Sequence, residues 1–278
     1  MARKSRTKNR RFWIALARAL GGAILFSLPL LMTAEMWEIG ATIPPGRLLG
    51  LLLGSFPLLV ALSYIAGFEE TFDLREDALD AAVALGIGLA AAALVLFLMG
   101  AIRPGMHAPE LIGRIALQSV PGAIGALLAR SQMHASREEE RAARRRREAS
   151  YGAELFTMLV GSLFFALNIA PTEEVVTIAT RLDEWHLLLL IAASLLAMHG
   201  FVYGMEFTGQ ARRPEGTSLL ELGVRWTAPG YVLGLLVSLS VLWVFGRTQG
   251  LGFESIVAIT LVLGFPAALG AAAARLIL

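Results

Sequence analysis

The 278-residue sequence contains no cysteine, and charged residues make up only 17% of it. Without cysteine the chain can form no disulfide, has no thiolate nucleophile and cannot bind a structural zinc ion through thiolates. Its four histidines do not have the spacing of a metal-binding motif. About a quarter of the residues of an ordinary soluble domain are charged, and a disordered chain is poor in apolar residues. The composition therefore excludes both classes.

Long apolar runs dominate the sequence instead. Hydrophobic residues make up 56% of it, and the mean hydropathy is +0.66. Eight runs are about as long as the roughly 20 residues that a helix needs to cross a bilayer: 13–39, 47–68, 79–101, 110–131, 153–179, 186–207, 218–245 and 252–276. Because these runs are continuous and rich in Leu, Ala and Gly, they predict helices and not the alternating strands of a barrel. The sequence predicts an all-α polytopic membrane protein with eight transmembrane helices.

The basic residues predict the orientation of these helices. Six lysines and arginines precede the first run, and cytoplasmic segments of membrane proteins are rich in such residues. With eight crossings, 17 of the 24 basic residues lie in cytoplasmic segments and five lie on the other side. Both termini are therefore predicted to be cytoplasmic.

An internal repeat relates the two halves of the chain. Residues 22–68 align with residues 161–207 without a gap, and 12 of the 47 aligned pairs are identical. The identical pairs include polar residues that are scarce within membranes: Thr33 and Thr172, Glu35 and Glu174, and Ser55 and Ser194. Farther along, Pro121 aligns with Pro266 after a longer loop. This pattern indicates gene duplication.

The repeat predicts the domain organisation. The expected units are an N-terminal four-helix repeat at 1–132, a charged cytoplasmic linker at 133–150 and a C-terminal four-helix repeat at 151–278. Because four is an even number, both repeats enter the membrane in the same direction. We therefore expect parallel repeats, related by a pseudo-two-fold axis along the membrane normal. The linker is expected to contact anionic membrane lipids rather than nucleic acid.

Acidic residues occur at matching places in the first apolar run of each half. Placing a carboxylate at the centre of a membrane helix costs about 2.5 to 3.5 kcal/mol of insertion free energy. Its presence in both halves therefore indicates a functional role. A proline nearby frees a backbone carbonyl, and a threonine adds a hydroxyl oxygen. Such oxygens bind hard cations. The predicted ion-binding residues are Thr33, Glu35, Glu38, Thr172, Glu173 and Glu174, with helix breaks at Pro29 and Pro171.

These residues lie toward the outer ends of their helices, where cation channels place rings of acidic side chains. The sequence therefore predicts a cation channel or cation-translocating protein in which Glu35 and Glu174 are the metal ligands. Calcium is the first expected ion. A homo-oligomer is expected. No cofactor other than the cation and no catalytic residue is predicted, so an enzyme is not the expected class.

Three alternatives remain open for the same carboxylates. They could serve as general acid and base in a membrane-embedded lipid-handling enzyme, with His199 as a titratable partner. The protein could also be a non-catalytic scaffold or partner subunit. More simply, the glutamates could face water at the membrane interface or pair with Arg47 and Arg181.

Two other patterns have structural interpretations. The pairs Gly125 and Ala129, and Gly270 and Ala274, place small residues one helical turn apart, which predicts close helix packing. The acidic segment 69–80 lacks the spacing of a calcium-binding loop, which favours a solvated loop.

The acidic motifs carry a resemblance. Thr-Ala-Glu-Met-Trp-Glu at 33–38 and Asn-x-Ala-Pro-Thr-Glu-Glu at 168–174, in a duplicated four-helix layout, resemble a family of uncharacterised bacterial integral membrane proteins. The resemblance covers nearly the whole chain and implies a bacterial inner-membrane location, but no activity. The segment 170–174 is also similar to the Pro-Glu helices of sodium/calcium exchangers. Those proteins have inverted repeats, so no mechanism is carried over.

Overall fold

The protein is described here from a computed structural model, which covers residues 2–66, 74–131, 151–203, 221 and 223–277. All regular structure in these ranges is helical. The chain divides into two compact units, Met1–Ala135 and Ser136–Leu278.

The first unit contains four long helices and one short helix. They are α1 (Ala2–Leu31), the short α2 (Ala34–Thr42), α3 (Pro45–Ala66), α4 (Leu74–Leu98) and α5 (Ala108–Ser131). Helix α5 contacts the other four helices of the unit. Every residue from 116 to 127 of α5 is buried, so this helix forms the centre of the unit.

The second unit has the same order of elements. They are α6 (Tyr151–Ile169), the short α7 (Glu174–Ala179), α8 (Glu184–Tyr203), a π-helical turn (Gly223–Thr227) that leads into α9 (Ala228–Val244), and α10 (Phe253–Ile277). Helix α10 contacts α6, α7, α8 and α9. The last helix is thus the centre of this unit too.

Seven of the helices in the described ranges are long and apolar enough to cross a membrane. They span Trp13–Leu31, Pro45–Tyr64, Leu74–Leu98, Ala108–Ala129, Tyr151–Ile169, Gly223–Val244 and Phe253–Arg275. The remaining predicted span, 186–207, begins in α8, whose apolar part Glu184–Gly200 is shorter. Residues 204–207 of that span lie outside the described residues. The predicted class, an all-helical membrane protein, is therefore supported. Among the described residues there are seven candidate spans.

The first helix of each unit is shorter than its apolar run. The apolar runs predict spans over 13–39 and 153–179 with helix breaks at Pro29 and Pro171, whereas α1 ends at Leu31 and α6 ends at Ile169. In the second unit the cause is Pro171, which has no N–H for the next helical bond and restricts the residue before it. In the first unit Thr33 takes an extended conformation, with φ −96° and ψ 115°. The acidic residues therefore follow helix breaks and do not lie within continuous spans.

Small residues bring the first and last helices of each unit into direct backbone contact. A Cβ atom added to Gly125 would lie 2.5 Å from the Gly22 carbonyl oxygen, and one added to Gly22 would overlap Ala129. In the second unit, a Cβ added to Gly161 would lie 2.5 Å from the Ala274 Cβ and overlap the Gly270 carbonyl. The predicted close packing at both small-residue pairs is confirmed.

The third long helix of each unit ends in the same turn. Gly100 and Gly246 follow α4 and α9 with φ angles of +70° and +77°. The N–H of Ala101 bonds to the Leu96 carbonyl at 2.9 Å, and that of Arg247 bonds to the Leu242 carbonyl at the same distance. Because glycine has no Cβ, it enters this left-handed conformation at little cost and closes a Schellman motif.

Replacing Gly100 with alanine is expected to lower the free energy of unfolding by about 1 kcal/mol, because an L-residue is strained at positive φ. Thermal unfolding in detergent checks this, with Gly86→Ala in α4 as the control. An added Cβ at Gly86 meets nothing within 4 Å. Equal stability of the two variants would show that the turn tolerates a side chain.

Candidate functional site: two acidic helix breaks

The first break is the turn at Met32 and Thr33 between α1 and α2. The Thr33 hydroxyl donates a hydrogen bond to the Pro29 carbonyl at 2.6 Å, and the Trp37 indole N–H donates one to the Leu31 carbonyl at 2.8 Å. Carbonyls at the end of a helix have no partner within that helix, and these side chains provide one. Leu31 itself is fully buried against α4 residues such as Leu96. These two hydrogen bonds and the burial of Leu31 therefore fix the position of the turn.

The second break is the turn at 170–173 between α6 and α7. The Thr172 hydroxyl donates to the Ile169 carbonyl at 2.9 Å, and the Asn168 side-chain amide donates to the Phe164 carbonyl at 2.7 Å. The backbone N–H of Thr172 also bonds to Ile169 at 3.1 Å. The equivalent bond of the first break joins Thr33 to Leu30, also at 3.1 Å. The repeated threonine thus closes the end of the first helix in both units.

The first break places two carboxylates on α2. Glu35 lies in the first turn and is half-buried, whereas Glu38 is exposed. Within the described residues neither carboxylate forms an ion pair. Helix α2 packs tightly on α5, since a Cβ added to Gly40 would lie 2.8 Å from the Arg114 Cα. The packing of α2 on α5 therefore fixes the backbone that carries Glu35 and Glu38.

The second break is held by an arginine from another loop. Arg247 follows α9, and its guanidinium contacts the Glu173 carboxylate at 2.5 Å and donates a hydrogen bond to the Pro171 carbonyl. The Arg247 side chain is only 17% exposed, whereas that of Glu173 is 64% exposed. The pair neutralises the charge of Glu173.

Glu174 has a different environment from Glu173. It is exposed and begins α7. The pKa of its carboxyl lies below the usual value, first because the Glu174 backbone N–H bonds to it and second because of a hydrogen bond with the Thr172 side chain. Such a group stabilises the fold above the usual pKa of a glutamate, and this contribution is lost as the pH falls through the lowered pKa. Glu174 is therefore negatively charged at neutral pH.

The structure divides the predicted ion-binding residues into two kinds. Thr33, Thr172 and Pro171 shape the ends of α1 and α6, whereas Glu35, Glu38 and Glu174 are exposed or half-buried acidic side chains. Pro29, a predicted helix break, lies within α1, which continues to Leu31. The described part of the chain contains no group of three or more His, Asp or Glu side chains that could hold a metal ion.

Sequence reasoning missed two arginines near these turns. The sequence suggests Arg181 as a partner for the glutamates, but in the structure Arg247 contacts Glu173. In the first unit Arg114 donates to the Ala101 carbonyl and pairs with Glu110 at 2.8 Å. Arg247 is 74 residues away from Glu173 in the chain. No local spacing could have identified this pair.

Other sequence candidates lie elsewhere in the units. The His199 Nδ1 atom is 2.9 Å from the Thr227 hydroxyl, so this histidine links α8 to the start of α9. Residues 69–73 of the predicted acidic loop lie outside the described residues, as does the linker at 133–150. The prediction of a solvated loop is wrong for 74–80, because these residues form the start of α4 and Asp77 is buried there.

Comparison with known proteins gives the class but not the activity. No curated protein and no solved structure matches the chain. The sequence profile of the family described as "Putative integral membrane protein (DUF2391)" matches residues 15–278, nearly the whole chain. The protein therefore belongs to the DUF2391 family of integral membrane proteins.

Proposed function

We propose that the protein conducts or translocates cations across the membrane, with Glu35, Glu38 and Glu174 concentrating the ion at its entrance. Glu173 is left out of this set because Arg247 neutralises it. Calcium is the first ion to test, on the basis of oxygen ligands alone.

One observation carries this proposal. At the same position of each unit, an apolar helix ends and a short helix follows that carries a glutamate in its first turn, Glu35 or Glu174, with no ion pair among the described residues. Negative side chains at a pore entrance raise the local cation concentration, which is how acidic rings select ions in cation channels. The neighbouring Glu173, in contrast, pairs with Arg247.

The topology is part of the proposal. We place eight helices across the membrane, with α8 as the eighth of them and both termini in the cytoplasm of a bacterial inner membrane. The halves are parallel repeats related by a pseudo-two-fold axis along the membrane normal, so Glu35 and Glu174 face the same side. The equivalent glycine contacts, Gly22 with Gly125 and Gly161 with Gly270, support a common origin of the two units. A homo-oligomer would add further copies of the acidic site.

Cation flux into proteoliposomes tests the proposal. The double variant Glu35→Gln, Glu174→Gln is expected to reduce flux roughly 10- to 30-fold, because each lost charge removes about 1 kcal/mol of attraction for a cation a few ångströms away. Calcium, barium, potassium and sodium are compared in the same vesicles. The expected loss is larger at low ionic strength, where screening is weak.

Glu184→Gln and Glu254→Gln are matched controls. Both glutamates are exposed in the first turn of a long helix and form no ion pair within the described residues. These variants are expected to conduct like the parent. If the double variant conducts as well as the controls, the glutamates have a structural role only, and a scaffold or partner subunit becomes the better interpretation. The hydrogen bonds by which Thr33 and Thr172 close the helix ends favour that alternative, because they give the repeated motif a structural role.

A further inference from the structure

One end of the second unit carries aromatic and basic side chains that the acidic breaks do not use. We call Tyr151, Glu154, Arg225, Trp226 and Arg275 the aromatic–arginine cluster. The ring centroids of Tyr151 and Trp226 are 4.6 Å apart. The Arg275 guanidinium carbon lies 4.6 Å from the centroid of the Trp226 ring, within the range of a favourable cation–π contact. The Trp226 ring is therefore packed against both a second ring and a cation.

The backbone explains why these side chains meet. Pro229 has no N–H, so the Arg225 carbonyl lacks its usual donor four residues later. The Tyr151 hydroxyl donates a hydrogen bond to this carbonyl at 2.9 Å. The π-helical turn that precedes α9 contains both Arg225 and Trp226. Tyr151 thus fixes the start of α6 to the turn, and π-helical segments frequently occur at functional sites.

One of the two arginines in the cluster has no carboxylate partner in the part of the chain that the structure describes. Arg275 pairs with Glu154 at 2.8 Å, and both side chains are largely buried. Arg225 is exposed and lies 5.9 Å from the Trp226 ring and 6.0 Å from the Tyr151 ring. Among the described residues Arg225 has no carboxylate partner. With respect to these residues, its guanidinium is open to an anion from outside the protein.

The position of the cluster points to the membrane surface. Tyr151 begins one apolar span, Arg225 lies near the start of another, and Arg275 ends a third. Tyrosine and tryptophan are enriched at the level of the lipid headgroups. Val224, next to Arg225, is 68% exposed and offers an apolar surface beside the charge. An exposed cation, two aromatic rings and an apolar neighbour match a ligand that has both a phosphate and an acyl chain.

We propose that the aromatic–arginine cluster binds the headgroup phosphate of an anionic phospholipid through Arg225. The guanidinium presents planar donors that suit a phosphate, and the two rings restrict its orientation. This proposal does not depend on cation conduction.

Fluorescence quenching by brominated lipids tests this site in the full-length protein in detergent. Brominated phosphatidylglycerol is compared with brominated phosphatidylcholine, and inorganic phosphate is added as a competitor. Arg225→Gln is expected to reduce the preference for phosphatidylglycerol about fivefold, the effect of removing one basic residue at the surface of an anionic membrane. Arg181→Gln, which removes an exposed arginine from a loop, is the matched control and is expected to leave the preference unchanged.

Trp226→Phe gives an independent measurement. It keeps an aromatic ring against Tyr151 but removes the nearby fluorophore, so quenching specific to phosphatidylglycerol is expected to disappear. The proposal is overturned if Arg225→Gln keeps the full preference, or if Trp226→Phe is quenched like the parent. Displacement of the lipid by millimolar inorganic phosphate would also overturn it, because the site would then recognise free phosphate.

Discussion

Replacing Gly161 with leucine is expected to destabilise the protein by about 3 kcal/mol, the upper end of the usual cost of overpacking. The reason is the backbone contact between α6 and α10. Any Cβ at position 161 would overlap the Gly270 carbonyl and lie 2.5 Å from the Ala274 Cβ, and neither neighbour is the flexible end of a long side chain. The helices would have to separate. Helix association in membranes depends on such close packing, because lipid chains provide no hydrophobic driving force.

The free energy of unfolding in mixed micelles measures this effect. Gly200→Leu is the matched control in the same unit, since an added Cβ at Gly200 meets nothing within 4 Å. The control is expected to stay within about 0.5 kcal/mol of the parent, as substitutions away from packed features usually do. If Gly161→Leu is as stable as Gly200→Leu, the close contact of α6 and α10 is wrong.

The second large effect is expected at Arg247. Substitution by glutamine removes the guanidinium. The Pro171 carbonyl and the Glu173 carboxylate therefore lose the group that bonds to both of them. An unsatisfied polar group of this kind costs about 1 to 3 kcal/mol. Glu173→Gln is expected to cost less than about 1 kcal/mol, because that carboxylate is 64% exposed and water can replace the arginine.

A double-mutant cycle of Arg247→Gln and Glu173→Gln separates the two contacts. We expect the double variant to be about as unstable as Arg247→Gln alone, because the carbonyl bond carries most of the effect. An equal cost for the two single variants would show that the ion pair itself holds the break. Arg181→Gln serves as the control for loss of an arginine charge.

Arg247 also connects stability with the proposed conduction. Its removal exposes the charge of Glu173 beside Glu174, so Arg247→Gln is expected to increase cation flux in proteoliposomes. Glu173→Gln should leave flux near the parent level, because it removes a charge that is already neutralised. Reduced flux in a folded Arg247→Gln protein would contradict the attraction of cations to this break.

The sequence alone predicted the class of protein, an all-helical membrane protein, and the close packing of its first and last helices in each unit. Continuous apolar runs predicted membrane helices, and the spacing of Gly125 and Ala129 predicted a tight helix pair that the structure confirms. Both features depend on residues close together in the chain.

The helix breaks and their partners were harder to predict. The apolar runs 13–39 and 153–179 extend beyond the helix ends at Leu31 and Ile169, so the lengths of the runs did not mark these ends, although Pro171 was a predicted helix break. The ends are set by the Thr33 and Thr172 hydrogen bonds and by Pro171. The Glu173–Arg247 pair depends on the packing of α9 beside α6, which a single sequence does not specify.

Accessible-cysteine measurements test the central proposal most directly, because the natural chain has no cysteine to interfere. Glu35→Cys and Glu174→Cys proteins are treated with membrane-impermeant thiosulfonates in right-side-out and inverted vesicles, and cation flux is then measured. We expect both positions to react from the outer side only, with a sulfonate reagent raising flux and a trimethylammonium reagent lowering it. Reaction of the two positions from opposite sides, or flux that does not respond to the sign of the added charge, would contradict the proposal.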